Sequence, residues 1–308
     1  MRVLFAGTPD AAVPVLQAVL ASHHEVAAVL TRPDAASGRG RRLTPSPVAR
    51  AADAAGLEVL TPATVSDPGF VERVAELSVE CAPIVAYGGL IPVSLLDLPE
   101  HGWVNLHFSL LPAWRGAAPV QRALLAGDPV TGATTFRLDA GLDTGPVYGV
   151  VTETVRPSDT TGDLLGRLAS SGAALLVRTL DGIETGELVA VPQGSDGVSL
   201  APKVLVDEAR VDWSAPALRV ERLVRACSPA PGAWTTARGE RLKVFPVEVA
   251  ADLEDPGPGV LVVAKRSVHV GTGSSPVRLG VVQSPGRAPM PAQDWARGLR
   301  LTSGEALT

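Results

Sequence analysis

Apolar positions in the first 160 residues switch repeatedly between short continuous runs and helical spacing. Residues 2–6 (RVLFA) form an apolar run ending in the turn GTPD. Residues 11–21 then place Val15, Leu16, Val19 and Leu20 on one helical face. Thr8 or Asp10 can cap that helix, and Pro14 is tolerated in its first turn. Runs at 25–31, 57–60, 83–86 and 103–107 read as further strands, with helical patterns at 48–55 and 68–77 between them. Ser66 or Asp67 ahead of Pro68 marks a helix start. Repeated strand–helix alternation predicts an α/β fold with a doubly wound, mainly parallel sheet and helices on both faces. Ligands in such folds sit outside the carboxyl ends of the strands.

The pattern then changes. Residues 134–138 and 146–155 read as strands flanking GLDTG, an antiparallel pair, and 159–180 as a long amphipathic helix. Residues 186–208 contain Gly194, Gly197 and Pro202 and little periodicity, as a linker does. Beyond it come one helical pattern (217–226) and short β-like runs at 234–236, 242–249, 259–263, 267–272 and 277–282, separated by Gly and Pro. Short strands at this spacing predict a small β-barrel. The expected organisation is a first domain over 1–188, a linker over 189–208 and a smaller C-terminal β-barrel domain over 209–308.

Composition narrows the class. With 308 residues, 46% hydrophobic and 19% charged, the chain has ample material for a core and is not disordered. It contains no 18-residue apolar stretch and no secretory-type leader, so a cytoplasmic protein without a membrane span is expected. Cys81 and Cys227 lie far apart, and no CxxC or HExxH occurs, so neither a disulfide framework nor a metal site is expected. His23 and His24 read as solvated caps at a helix end. Charge is uneven: residues 1–208 carry 14 Lys and Arg against 23 Asp and Glu, and residues 209–308 carry 13 against 9. An acidic large part joined to a basic small part keeps a nucleic-acid partner open, although scattered surface charge gives the same counts.

Three stretches could carry chemistry. In VNLHFSLLP (104–112), Asn105 and His107 are two residues apart on a strand and share a face at its carboxyl end. An amide donor beside an imidazole suits acyl transfer, with one group stabilising an oxyanion and the other moving a proton. The same pair could equally satisfy backbone groups of the following loop. In GLDTG (141–145), flanking glycines let the backbone fold closely around a ligand and expose Asp143, which could orient His107; an ordinary hairpin turn also uses Asp. The third stretch, RPDAASGRGRRLTPSP (32–47), concentrates Arg39, Arg41 and Arg42 in a loop that Gly and Pro keep from forming a long helix. It reads as a phosphate contact or as a solvated connector. GTPD after the first strand is not GxGxxG, so a dinucleotide site is unsupported.

Taken together, FAGTPD (5–10), GRGRRLTPSPV (38–48), VAYGGLIP (85–92), NLHFSLLPAWRGAAPVQ (105–121), GLDTG (141–145), APK (201–203), ARVDW (209–213) and PGAW (231–234) resemble the methionyl-tRNA formyltransferase family over nearly the whole chain. The resemblance implies a Rossmann-like formyltransferase domain with an OB-like C-terminal barrel. It places the catalytic set on Asn105, His107 and Asp143. Folate binding falls on Ser109, Leu110, Leu111 and Pro112 and on the loop Ala86, Tyr87, Gly88, Gly89 and Leu90. The tRNA-approaching loop falls on Arg39, Arg41 and Arg42. Phe108 stands where the family usually has glycine, and Ala113 where it often has a basic residue.

The implied reaction moves a formyl group from 10-formyltetrahydrofolate, a co-substrate, to the α-amino group of methionine on initiator tRNA, without a metal, in a monomeric enzyme. Asn105 and protonated His107 would stabilise the growing oxyanion, with Asp143 holding the imidazole. The rivals are a formyltransferase acting on an amino sugar nucleotide, a hydrolase of formyl-folate with the same catalytic set, and a non-catalytic folate- or tRNA-binding module. The basic GRGRR loop favours tRNA over a sugar, and the intact trio speaks against catalytic silence.

Overall fold

A computed structural model describes residues 1–37 and 42–308. The chain divides into two compact units, one comprising residues 1–116, 130–154 and 165–201, the other 117–129, 155–164 and 202–308. Residues 117–129, inside the stretch read as the first domain, thus cluster with the second unit.

The first unit contains β1 (Arg2–Gly7), α1 (Val13–Leu20), β2 (Glu25–Leu30), β3 (Ala35–Ser37), β4 (Arg42–Thr44), α2 (Pro47–Ala54), β5 (Val59–Leu60), α3 (Pro68–Glu76), β6 (Ala82–Val85) and β7 (Trp103–His107). The helix α4 (Pro119–Ala126) of the other unit intervenes before β8 (Val130–Arg137), β9 (Val147–Thr154) and α5 (Thr161–Glu184), whose first four residues cluster with the other unit. Seven strands form one sheet in the order β5-β2-β1-β6-β7-β8-β9. The first five are parallel, and β8 and β9 are antiparallel to their neighbours, as the pair around GLDTG was expected to be. The strand order reverses between β1 and β6, where such sheets open a crevice.

Side-chain alternation on β7 sets the two faces. Leu106 turns toward α5, which packs so closely that a Cβ on Gly172 would lie 3.0 Å from the leucine side chain. Trp103 turns the other way into a core shared with Leu4, Leu30, Ile84 and, from α3, Phe70 and Val74. Asn105 and His107 share the Trp103 face by the same two-residue period. Local chemistry fixes the helix starts: Ser46 and Asp67 cap α2 and α3 through their side chains, each with proline in the first turn. At the start of α5, Thr160 and Asp163 bond reciprocally as a capping box.

Several sequence expectations shift. The stretch around the basic loop is not wholly irregular, because β3 and β4 pair antiparallel with Ala35 opposite Thr44 and Ser37 opposite Arg42. Arg39 and Arg41 lie outside the described residues. His24 is buried rather than solvated: its Nε2 lies 3.0 Å from Asp181 near the end of α5, and its Nδ1 is 3.1 Å from the Met1 ammonium. Only His23 is exposed, paired with Glu184 at 2.6 Å. The first part of the presumed linker is also anchored, since Val191 exchanges two backbone hydrogen bonds with Val147.

The second unit holds α4, α6 (Ala217–Ala226) and α7 (Ala292–Leu299), and eight short strands. These are β10 (Trp234–Ala237), β11 (Glu240–Val244), β12 (Val247–Val249), β13 (Leu261–Val263), β14 (Val268–Val270), β15 (Val277–Leu279), β16 (Val281–Gln283) and β17 (Met290–Pro291). They form two antiparallel four-stranded sheets, β10-β11-β16-β17 and β12-β15-β14-β13. The C-terminal residues bridge both, Ala306 to Val260 and Leu307 to Ala237, in keeping with a small barrel. The run read as one strand over 242–249 breaks at Phe245–Pro246, and its halves enter different sheets. Pro246 has no N–H to continue a ladder. Trp213, Leu242, Val244, Val270 and Trp295 fill this core, and Ala118 just before α4 joins them. Cys81 and Cys227 are buried, free thiols.

Candidate active site

β7 ends at His107, at the carboxyl edge of the parallel strands, and its last turn of sequence supplies two polar groups of contrasting state. The Asn105 side chain is half-buried and forms no hydrogen bond with any described residue. It is an unpartnered amide at the sheet's functional edge. His107 is 6% exposed. Its Nε2 lies 2.9 Å from the carbonyl of Trp114, an acceptor only, so Nε2 carries a proton. Its Nδ1 lies 3.7 Å from Oδ2 of Asp143. Burial pushes the imidazole below its ordinary range, opposed by the Asp143 charge and the Trp114 carbonyl. The resting imidazole is therefore biased toward the neutral form, whereas the sequence reading had it protonated.

Asp143 reaches His107 by an indirect route. Because β8 runs antiparallel to β7, its last residue, Arg137, lies opposite Val104 rather than His107. That is three residues, about 10 Å, from the end of β7. Residues 138–146 must therefore fold back toward the carboxyl edge. The second glycine of GLDTG permits this, for a Cβ on Gly145 would come 1.8 Å from the Arg137 carbonyl oxygen. Asp143 itself adopts a left-handed backbone, φ +52°. Its carboxylate accepts a hydrogen bond from the Gly116 amide at 2.7 Å. Asp139 ties the loop start, accepting from Gly141 N–H and the Thr144 hydroxyl.

The segment after β7 is closed on itself. The Ser109 hydroxyl donates to the Ala113 carbonyl at 2.6 Å. Thr134 of β8 donates to the Ser109 carbonyl at 2.6 Å and accepts from Leu111 N–H at 3.2 Å. The Leu111–Pro112 peptide is cis. Ser109 is buried, while Leu110, Leu111 and Pro112 remain partly accessible. Phe108 is buried and is not among the residues of positive φ, so this position does not use a glycine's freedom. Ala113 serves the loop through its backbone, its carbonyl accepting from Ser109 and its N–H donating to the Leu110 carbonyl.

The loop after β6 divides by exposure. Tyr87 is 3% exposed, belongs to the core and has its carbonyl held by the Thr8 hydroxyl at 2.7 Å. Ala86 (φ +47°) and Gly88 (φ +80°) turn the backbone outward, Gly89 is partly accessible, and Leu90 is 87% exposed. Leu90 therefore presents its apolar side chain to solvent, whereas Tyr87 packs into the core.

Arg115, Gly116, Gln193 and Ser199 were given no individual role from the sequence. The Gln193 amide donates to the carbonyls of Asp143 and Gly145, both at 2.8 Å, and accepts from the Arg115 guanidinium at 2.7 and 3.2 Å. The Ser199 hydroxyl accepts from Trp114 N–H at 2.9 Å. The Gly- and Pro-rich composition that suggested a linker gave no sign of Gln193 or Ser199.

Among the described residues, one group of metal-type donors comes together, His23, His24 and Asp181, within 4.8 Å of one another. It lies near the end of α5, and its polar atoms are partnered by one another, Glu184 and the Met1 ammonium. Among the described residues, no helix is long and apolar enough to cross a membrane.

Residues 1–180 match the formyl transferase family, and residues 203–300 match the formyl transferase C-terminal domain. The chain is 63% identical over 306 residues to the methionyl-tRNA formyltransferase of Streptomyces coelicolor, covering 99% of each. It is 64% identical over 305 residues to that of Thermobifida fusca, covering 99% of this chain and 98% of the relative. Among solved structures, HypX from Aquifex aeolicus in complex with tetrahydrofolic acid shares the fold, with a TM-score of 0.68 at 18% identity, over 99% of this chain and 48% of that one. With both domains matched and full-length identity above 60% to these relatives, the chain belongs to the formyl transferase family, among the methionyl-tRNA formyltransferases.

Proposed function

We propose that this chain transfers a formyl group from 10-formyltetrahydrofolate to the α-amino group of methionine on initiator methionyl-tRNA. The observation that carries the chemistry is the unpartnered Asn105 amide beside a buried His107 paired with the partly buried Asp143 at the carboxyl edge of β7. A formyl carbon is already electrophilic, so the residues need only hold the two substrates, stabilise the oxyanion and move one proton. The neutral amine attacks the formyl carbon and forms a C–N bond. Negative charge grows on the formyl oxygen, toward which Asn105 donates. The amine proton passes through the His107–Asp143 pair to N10 of the folate as the bond from N10 to the formyl carbon breaks. A neutral imidazole next to a carboxylate suits that relay, because it can take a proton and be stabilised as it does so.

Folate would lie against Leu90, the turned backbone at Ala86 and Gly88, and the Leu110–Pro112 segment. For tRNA, Arg39, Arg41 and Arg42 would reach the acceptor end, and arginines of the second unit would hold phosphates. There, Arg210 and Arg241 flank the Trp234 ring at 5.7 and 4.3 Å. Incubation with 10-formyltetrahydrofolate and either charged initiator tRNA or an amino sugar nucleotide tests the reading. Formyl-methionine on tRNA and no formylated sugar are expected; formylation of the sugar alone would overturn it.

A further inference from the structure

We propose that Gln193, oriented by Arg115, is a positioning residue that holds Asp143 against His107. The inference rests on the reading of Asp143 given above and adds the device that keeps its loop in place.

The loop needs one. Asp143 hangs on residues 138–146, which fold back from the far end of the β7–β8 pair, and it sits at a φ of +52° that L-residues disfavour. Within the loop Asp139 ties Gly141 and Thr144, but among the described residues no bond from inside the loop holds the Asp143 carboxylate. Gln193 grips the backbone on both sides of Thr144: one side-chain NH₂ serves the Asp143 and Gly145 carbonyls, each at 2.8 Å. Both of its donors are spent there. Its oxygen accepts two bonds from the Arg115 guanidinium, at 2.7 and 3.2 Å. This pattern fixes the amide's orientation, since the flipped amide would set its oxygen against two carbonyls and its NH₂ against a cation. A guanidinium bound to the amide oxygen also polarises the NH₂ and strengthens its donation.

The anchor and the carboxylate share one segment. Arg115 is fixed through its own backbone, donating to the Ser199 carbonyl at 2.9 Å and accepting from Ala201 N–H at 2.7 Å. Its neighbour Gly116 donates to the Asp143 carboxylate at 2.7 Å. Two consecutive residues therefore hold Asp143 at both ends, Gly116 by the carboxylate and Arg115 by the backbone through Gln193. Gln193 itself is carried on a segment pinned to β9 by the paired backbones of Val191 and Val147.

Gln193→Glu separates positioning from packing. The carboxylate keeps the shape and the Arg115 contact but loses both donors to the loop. Gln193→Leu loses everything and serves as the second variant. Both should lower kcat by about 10- to 100-fold, the cost of misplacing a reacting group by an ångström or so, with the KM for folate nearly unchanged. In parallel, the His107 imidazole is titrated by NMR, a readout independent of activity. Because the Asp143 charge raises the His107 pKa, its displacement should move that titration to lower pH in Gln193→Leu, the variant that adds no charge of its own. Wild-type kcat in either variant, or lowered kcat in Gln193→Leu with an unmoved His107 titration, would each overturn the proposal. If the wild-type chain failed to formylate tRNA, the functional reading would fall, while the NMR comparison would still decide the clamp.

Discussion

The Gly116 amide donates to the Asp143 carboxylate at 2.7 Å from a backbone at φ +125°, a conformation open to glycine and closed to L-residues. A Cβ there would also lie 2.8 Å from the Ala201 carbonyl oxygen. Gly116→Ala should therefore displace the amide and lower kcat by about 10- to 100-fold, through loss of aim rather than loss of a reacting group. Steady-state kinetics beside a melting curve check this. An alanine variant with wild-type kcat would show that the Gly116 bond is dispensable.

Asn105 is expected to act as an oxyanion donor because its amide is accessible and unpartnered. Asn105→Ala removes one donor and should lower kcat by about 10²–10³. Stability should change little, since no bond to a described residue is lost. Circular dichroism with a formylation assay separates these effects, and a large loss of stability would point to a structural asparagine instead.

Leu90, 87% exposed, contributes almost nothing to the folded core. If it forms a wall for the folate, Leu90→Ala should raise the KM for 10-formyltetrahydrofolate several-fold at unchanged melting temperature. Loss of an exposed leucine's packing on a ligand is worth about 1–2 kcal/mol, which corresponds to a roughly 5- to 30-fold ceiling. An unchanged KM would move the folate site away from this loop.

Burial holds the folded-state pKa of His107 below the ordinary 6.5. The unfolded chain then binds a proton more readily than the folded one between those two values. The stabilising contribution of the neutral imidazole is complete above pH 6.5 and is lost as pH falls from 6.5 through the folded value. His107→Gln lacks this dependence, while His24, shifted the same way, stays in both proteins and cancels in the difference. Urea unfolding above and below pH 6.5 should show the wild type losing ground to the variant in acid. A gap independent of pH would mean the imidazole is not held in its neutral form.

How much was legible in the chain depended on whether a feature was local. The β7 strand and the shared face of Asn105 and His107 follow from a two-residue period and survive into the structure. The antiparallel pair around GLDTG was equally visible. What the pattern could not give was direction in space: β8 runs back along β7, so the proximity of Asp143 to His107 is a consequence of loop folding and not of strand ends. Gln193 and Ser199 were hidden because a Gly- and Pro-rich stretch looks the same whether it floats as a linker or lies pinned over a loop. His24 was misjudged because its hydrogen-bond partner Asp181 lies 157 residues away on α5. Pro246 was the visible sign that 242–249 is two strands. For Arg39, Arg41 and Arg42 the expectation stands as a proposal from charge alone. Replacing all three by alanine should reduce the salt slope of tRNA binding by about 0.7–0.9 per lost phosphate contact and leave folate binding unchanged. An unaltered slope would return the loop to a solvated connector.

If Asn105, His107 and Asp143 together carry the transfer step, the loss shows in the single-turnover rate of Asp143→Asn. The variant keeps the side chain's shape and an acceptor for Gly116 but loses the charge beside His107. With both substrates pre-bound, formyl transfer should slow by about 10²–10⁴, the contribution of a positioned acid–base pair. Folate affinity should stay at the wild-type value. A wild-type single-turnover rate in this variant would remove Asp143 from the transfer step.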